Sequence, residues 1–112
     1  MPLYLVQFSY ASRAIRALAD RPDVDHAAEA SAMVASLGGE LRGYWYAFGN
    51  FDGVVLLEAA DNSTAAAVAI AIGGSGEVTR FETTVLLTMG EARTAIAKLA
   101  DVRHLPLLEP GT

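Results

Sequence analysis

Apolar residues fall along this chain in two rhythms. From Leu3 to Tyr10 they alternate, with Tyr4, Val6, Phe8 and Tyr10 on one parity and Leu5, Gln7 and Ser9 on the other. A period of two predicts a β-strand, and the first parity suits the face covered by helices. From Ser12 to Asp20 the spacing turns helical, with Ala14, Ile15 and Leu18 together and Arg13 and Arg16 opposite. Asp20-Arg21-Pro22-Asp23 interrupts it, because proline has no amide to donate and disfavours helix before it. A longer helix is expected from about Val24 to Leu37, with Ala27, Ala30, Val34 and Leu37 on one stripe, an aspartate near its start and Gly38-Gly39 as its left-handed stop.

Glu40 to Phe48 reads as an aromatic second strand containing Tyr44, Trp45 and Tyr46. Gly49-Asn50-Phe51-Asp52-Gly53 makes a turn, and Val54 to Ala59 is the third strand. Its run Val54-Val55-Leu56-Leu57 is apolar on both parities, so both of its sides need cover. Asp61 caps a helix over Ser63 to Ile72, with Ala65, Val68, Ala69 and Ile72 inward and Ala66 and Ile70 beside them. Gly73-Gly74-Ser75-Gly76 ends that helix, and Val78 to Leu87 is the fourth strand. Thr88-Met89-Gly90-Glu91 is a capping box that opens a last helix to about Ala100, with Ala92, Ala95, Ile96 and Leu99 on one face. The tail, Val102 to Thr112, is expected to be extended, its Leu105, Leu107 and Leu108 docking on the domain or on a neighbour.

Without the short first helix and the last one, the order is β-α-β-β-α-β, the ferredoxin-like split βαβ signature of an α+β fold. Its strand order, 4-1-3-2, puts both long helices on one sheet face and leaves the other bare. Four strands ~4.8 Å apart and ~20 Å long give that face roughly 400 Å² in flat projection. Monomers seldom expose so much contiguous apolar surface. Sheet-to-sheet pairing into a homodimer would bury it, within a standard interface of ~800 Å² per partner. Gln7, Arg80 and Glu82 are expected on the same face. The alternative is that the last helix or the tail covers it.

A length of 112 residues fits one domain, taken as residues 1–100 with a tail over 101–112. The net charge of −5 comes with no basic stripe, so neither nucleic acid nor an anionic membrane is an expected partner. The chain has no cysteine, which removes disulfides, thiolate nucleophiles and cysteine-based metal sites. Met1-Pro2-Leu3-Tyr4 is no signal peptide, and the longest apolar run, Ala65 to Ile72, is too short to span a bilayer, so a cytoplasmic location is expected.

The Gly49-Asn50-Phe51-Asp52 hairpin resembles that of the GYD-domain family, small bacterial proteins named for a Gly-x-Tyr-Asp-like motif. Leu37-Gly38-Gly39-Glu40-Leu41 before the aromatic strand and Asp52-Gly53-Val54-Val55-Leu56-Leu57-Glu58-Ala59 after the turn match as well. So do Ala69-Ile70-Ala71-Ile72-Gly73 and Gly76-Glu77-Val78 before a Thr-rich strand, and the likeness covers about Leu3 to Leu87. It implies a ferredoxin-like, dimeric α+β-barrel fold and no particular reaction. Phe51 stands where the family motif has tyrosine, so no phenol hydroxyl is essential there.

Strand directions bring the end of the first strand, the 49–53 turn, the start of the main helix and the 73–76 loop to one edge. Tyr10, His26, Asn50, Asp52 and Ser75 are therefore expected to cluster. Asp52 precedes an apolar strand; partial desolvation there would suit acid–base work, and a purely structural Asp52 would accept bonds from turn amides. His26 is the other weak catalytic candidate. With Glu29 three residues on it could share a metal, but a stable site needs more ligands, so no metal and no cofactor are expected. Tyr44, Trp45, Tyr46, Asn50 and Asp52 are the candidate ligand-binding residues, the rings either lining a pocket or serving as plain core. The 73–76 glycine loop leaves a helix and enters a strand, the reverse of a phosphate cradle. Gly-x-Ser-x-Gly is absent, and two histidines without a thiol offer no ready nucleophile–base pair. The functional expectation is a homodimer that binds a small apolar or aromatic molecule. The alternatives are a cofactor-independent oxygenase or isomerase, and an assembly module without ligand.

Overall fold

The computed structural model describes residues 1–103. Its elements are β1 (Leu3–Tyr10), α1 (Ser12–Asp20), α2 (His26–Ser36), β2 (Glu40–Tyr46), β3 (Gly53–Glu58), α3 (Asn62–Gly74), β4 (Val78–Leu86) and α4 (Met89–Ala97), which runs into a short 3-10 turn, Lys98–Asp101. The sheet order is β2-β3-β1-β4 with every neighbouring pair antiparallel, which is the expected ferredoxin-like α+β arrangement. The tail from residue 104 on, with its leucines and His104, lies outside the described residues.

The alternation in β1 builds the core. Tyr4, Val6 and Phe8 are buried on the helical face, beside Val55 and Leu57 of β3. Val34 of α2 and Ala65 and Val68 of α3 close over them. The Tyr4 hydroxyl, which would be costly to bury unbonded, donates to Asn62 Oδ1 at 2.7 Å.

Several boundaries differ from the sequence expectation, each for a local reason. α2 starts at His26, because the Asp25 carboxylate accepts the Ala28 amide at 3.0 Å and makes Asp25 the N-cap. Its buried stripe is Val34 with Met33 and Ala30, while Ala27 and Leu37 stay exposed. Gly38, at φ +87°, supplies the left-handed stop. β2 ends at Tyr46, because the Ala47 amide donates to the Asp52 carbonyl at 2.7 Å and closes the hairpin early, leaving Phe48 in solvent. α3 runs past Ile72 to Gly74, where Ser75 caps it through its hydroxyl on the Ile72 carbonyl at 2.7 Å.

A register shift between Leu41 and Gly43 makes Arg42 the extra residue of a β-bulge. Leu41 and Tyr44 then share the helical face with their partners Leu57 and Val55, while Gly43 and Trp45 pair with Leu56 and Val54 on the other. The Trp45 indole lies over Gly43, where an added Cβ would stand 2.7 Å from its Cζ2. That second face carries Trp45, Val54, Leu56, Leu5 and Leu3, with Gln7, Glu82 and Thr84 toward β4. At its edge Arg42 donates to Glu58 at 2.8 Å and lies 3.4 Å from Glu40. α4 opens with the expected capping box, Thr88 and Glu91 each bonding the other's amide at 3.0 Å. None of its residues is buried, so it gives the sheet no lid.

Candidate functional site

A cavity of about 380 Å³ opens between the helical face of the sheet and helices α1, α2 and α3. Its floor is Phe8 and Tyr10 of β1, Tyr44 of β2 and Val55 of β3. α1 contributes Ala14, Ala17 and Leu18, and α2 contributes Ala30 and Met33. The small residues of α1 and α2 leave the space, since alanines reach too short a distance to fill it. Polar groups stand at two places. Arg21, His26 and Glu29 lie where α1 gives way to α2, and Ser75 and Glu77 lie beyond α3.

Four aromatic rings cluster at the floor. Phe8 meets Tyr10 edge-on at 5.3 Å and Tyr44 at 5.9 Å, and Tyr46 stands 5.7 Å from Tyr44. The hydroxyls of Tyr10 and Tyr44 bond to each other. Burial is the main reason that both phenols hold their protons above the ordinary phenol range; the Tyr44 hydroxyl raises Tyr10 further, and the bond from Tyr10 partly offsets the rise at Tyr44. Both are therefore hydroxyl groups, not phenolates, at neutral pH.

His26, the first residue of α2, turns Nδ1 toward the Glu29 carboxylate at 3.7 Å. Its Nε2 is buried and has no hydrogen-bond partner among the described residues. Such orphans are rare enough in folded proteins to need a reason. No third His, Asp or Glu joins the pair among the described residues.

The expected cluster divides in two. Tyr10, His26 and Ser75 line the cavity; Asn50 and Asp52 do not. Asp52 accepts the Tyr10 amide at 3.0 Å, and its own amide donates to the Phe8 carbonyl at 2.9 Å. Its carboxylate fastens the hairpin to the end of β1. The Arg80 guanidinium bonds the Asn50 carbonyl and sits 4.4 Å over the Phe51 ring. Among the second-strand rings, Tyr44 faces the cavity, Tyr46 stands exposed beside it, and Trp45 lies on the opposite sheet face. Sequence reading paired Tyr10 with the right edge but missed Arg21, Met33 and Glu77 as cavity residues. Arg21 is the C-cap of α1 and Glu77 sits in a loop, where no periodicity points inward.

The GYD domain profile matches residues 4–96, most of the chain. The chain belongs to the GYD domain family. No curated protein matches it. Among solved structures, FFRP-DM1 is similar at 12% identity and a TM-score of 0.53, over 78% of this chain and 100% of that one. A transcriptional regulator from Neisseria meningitidis, solved as its L-Met complex, is similar at 11% identity and a TM-score of 0.51, over 98% of this chain and 57% of that one. An uncharacterized NIPSNAP-like domain protein from Burkholderia xenovorans reaches 17% identity and a TM-score of 0.49, over 79% of this chain and 84% of that one. At these identities the likeness is one of fold. Among the described residues no helix is long and apolar enough to cross a membrane.

Proposed function

We propose that this GYD-family chain binds a small, largely apolar molecule in the cavity between its sheet and helices, as a homodimer joined through the bare sheet face. The observation that carries the first part is the cavity itself: about 380 Å³ of space, walled by Ala, Leu, Met and aromatic side chains, with a few polar groups converging on it. A chain serving only for assembly would have no use for that space, and filling it would stabilise the core. The N. meningitidis regulator, with the same fold, forms a complex with one small molecule, which agrees with this reading.

The dimer rests on exposure. Trp45 is 54% exposed, and Leu5, Val54 and Leu56 around it are only half-buried among the described residues. α4 and the 3-10 turn after it add exposed Met89, Ile96 and Leu99. A second copy seated there would bury this face within a standard interface of ~800 Å² per partner.

The cavity is tested with N-phenyl-naphthylamine, a neutral apolar fluorophore that brightens when it leaves water. Saturable binding at one site per chain is expected, and Ala30→Trp, which fills the cavity from α2, should abolish it. Undiminished binding by a folded Ala30→Trp variant, or no saturable binding by the natural chain, overturns the reading.

A further inference from the structure

α4 and the sheet face are two apolar surfaces of one chain that do not cover each other. β4 leads straight into α4, whose start is secured by the capping box. Helical spacing sets Met89, Ala92, Ile96 and Leu99 on one stripe, Leu99 lying in the 3-10 turn that continues the helix. Met89, Ile96 and Leu99 are 74%, 65% and 60% exposed, and no residue of α4 is buried. A nine-residue helix has too few hydrogen bonds to hold itself in water, where isolated helices below ~12 residues are marginal. The cap fixes only the first turn. The rest of the stability has to come from packing the stripe, and the described residues do not bury it.

The sheet face has the matching shortage. Its apolar part is the side of β2, β3 and β1, where Trp45, Val54, Leu56 and Leu5 lie together; Gln7, Glu82 and Thr84 make the side toward β4 polar. The whole face measures roughly 400 Å² in flat projection, about half of the ~800 Å² that each partner of a standard interface buries. Exposed side chains of the size of Met, Ile and Leu carry about 100 Å² of apolar surface each. Sheet and helix together therefore approach an area that neither reaches alone.

Resting on the sheet-face dimer proposed above, we propose that the two copies exchange α4: the helix of each lays its apolar stripe on the β2–β3 side of the other's sheet face, beside Trp45. Two-fold symmetry makes the contact reciprocal, because a surface of one copy that meets a different surface of its partner is met by it in return. Two helix-on-sheet contacts then flank the sheet-to-sheet contact, and each α4 gains the cover it lacks in the single chain.

The chain has no cysteine, so single cysteines can be placed without background. Val54→Cys and Ile96→Cys chains are mixed and treated with a short bismaleimide; a link between these two positions can form only between copies. Such links, read by mass spectrometry, should predominate over links joining two α4 helices. The natural dimer should weaken at least ~10-fold in sedimentation equilibrium on Ile96→Glu/Leu99→Glu, because the apolar contact would have to desolvate two carboxylates. The emission of Trp45, the only tryptophan, should move to the red in the same variant. Neither substitution touches a buried residue, so the fold should be kept. If the natural chain is a dimer but the mixed links do not form, or the glutamate variant dimerises undiminished, this inference falls and the sheet-face dimer stands. If Leu5→Lys/Leu56→Lys leaves the dimer intact, or the natural chain is a monomer at high concentration, both fall.

Discussion

Asp52 and Tyr10 show how a residue that looks chemical can be occupied by structure. The Asp52 carboxylate accepts the Tyr10 amide at 3.0 Å, so its loss leaves that amide at the end of β1 unbonded. Asp52→Ala should cost about 1–2 kcal/mol in urea unfolding, and Asp52→Asn, which keeps an acceptor oxygen, clearly less. Equal costs would remove the amide bond as the reason for an aspartate there. The phenols of Tyr10 and Tyr44 lie above the ordinary phenol range, chiefly through burial. In the unfolded chain they ionise near the ordinary value of ~10, while the folded state still holds their protons. Above that pH the unfolded state binds fewer protons, so stability falls as pH rises and is fully present below it. Stability should hold flat through neutrality and drop beyond about pH 10, and the Tyr10→Phe/Tyr44→Phe variant should drop less steeply in unfolding curves taken across alkaline pH.

Among the elements, β2 departs most from simple alternation. Strict alternation would set Leu41 with Trp45, opposite Tyr44; the bulge at Arg42 instead returns Leu41 and Tyr44 to one face and keeps Arg42 beside Glu58. Gly43 gives the indole of Trp45 room to lie flat. Gly43→Val should displace that ring, cost about 1–3 kcal/mol and shift tryptophan emission, since overpacking forces side chains off their rotamers. An unchanged emission spectrum would mean that the ring never rests there. The helices were more legible than their ends. The α3 stripe follows its apolar spacing, with Ala65 and Val68 buried; on α1 Ala14 is buried and Leu18 half-buried, while Ile15, expected beside them, is exposed. The start of α2 was decided by which aspartate captured an amide, and the end of α3 by how far the chain could wind before meeting β4. Neither competition is visible in hydrophobic spacing.

For the whole molecule, the sheet face and the α4 surface that the described residues leave uncovered make one prediction. The natural chain should sediment as a dimer, and Leu5→Lys with Leu56→Lys, placed opposite each other on that face, should yield monomers with an intact fold, because charges there cannot be desolvated cheaply. A natural chain that stays monomeric at high concentration ends the dimer reading. The sequence of elements and the choice of the Tyr4, Val6, Phe8 parity as core follow from residue periodicity, because burial must alternate in a strand and recur near every fourth residue in a helix; the strand order and antiparallel ladder follow from that sequence of elements. The cavity does not follow from it. Tyr10, His26 and Glu77 are far apart in the chain and share a space only because three helices, each with alanine facing inward, fail to fill the volume above the sheet. Periodicity tells which side a residue faces. Whether the groups arriving on that side touch, or leave room for a guest, depends on their summed volumes across distant segments, and only packing in three dimensions adds those up.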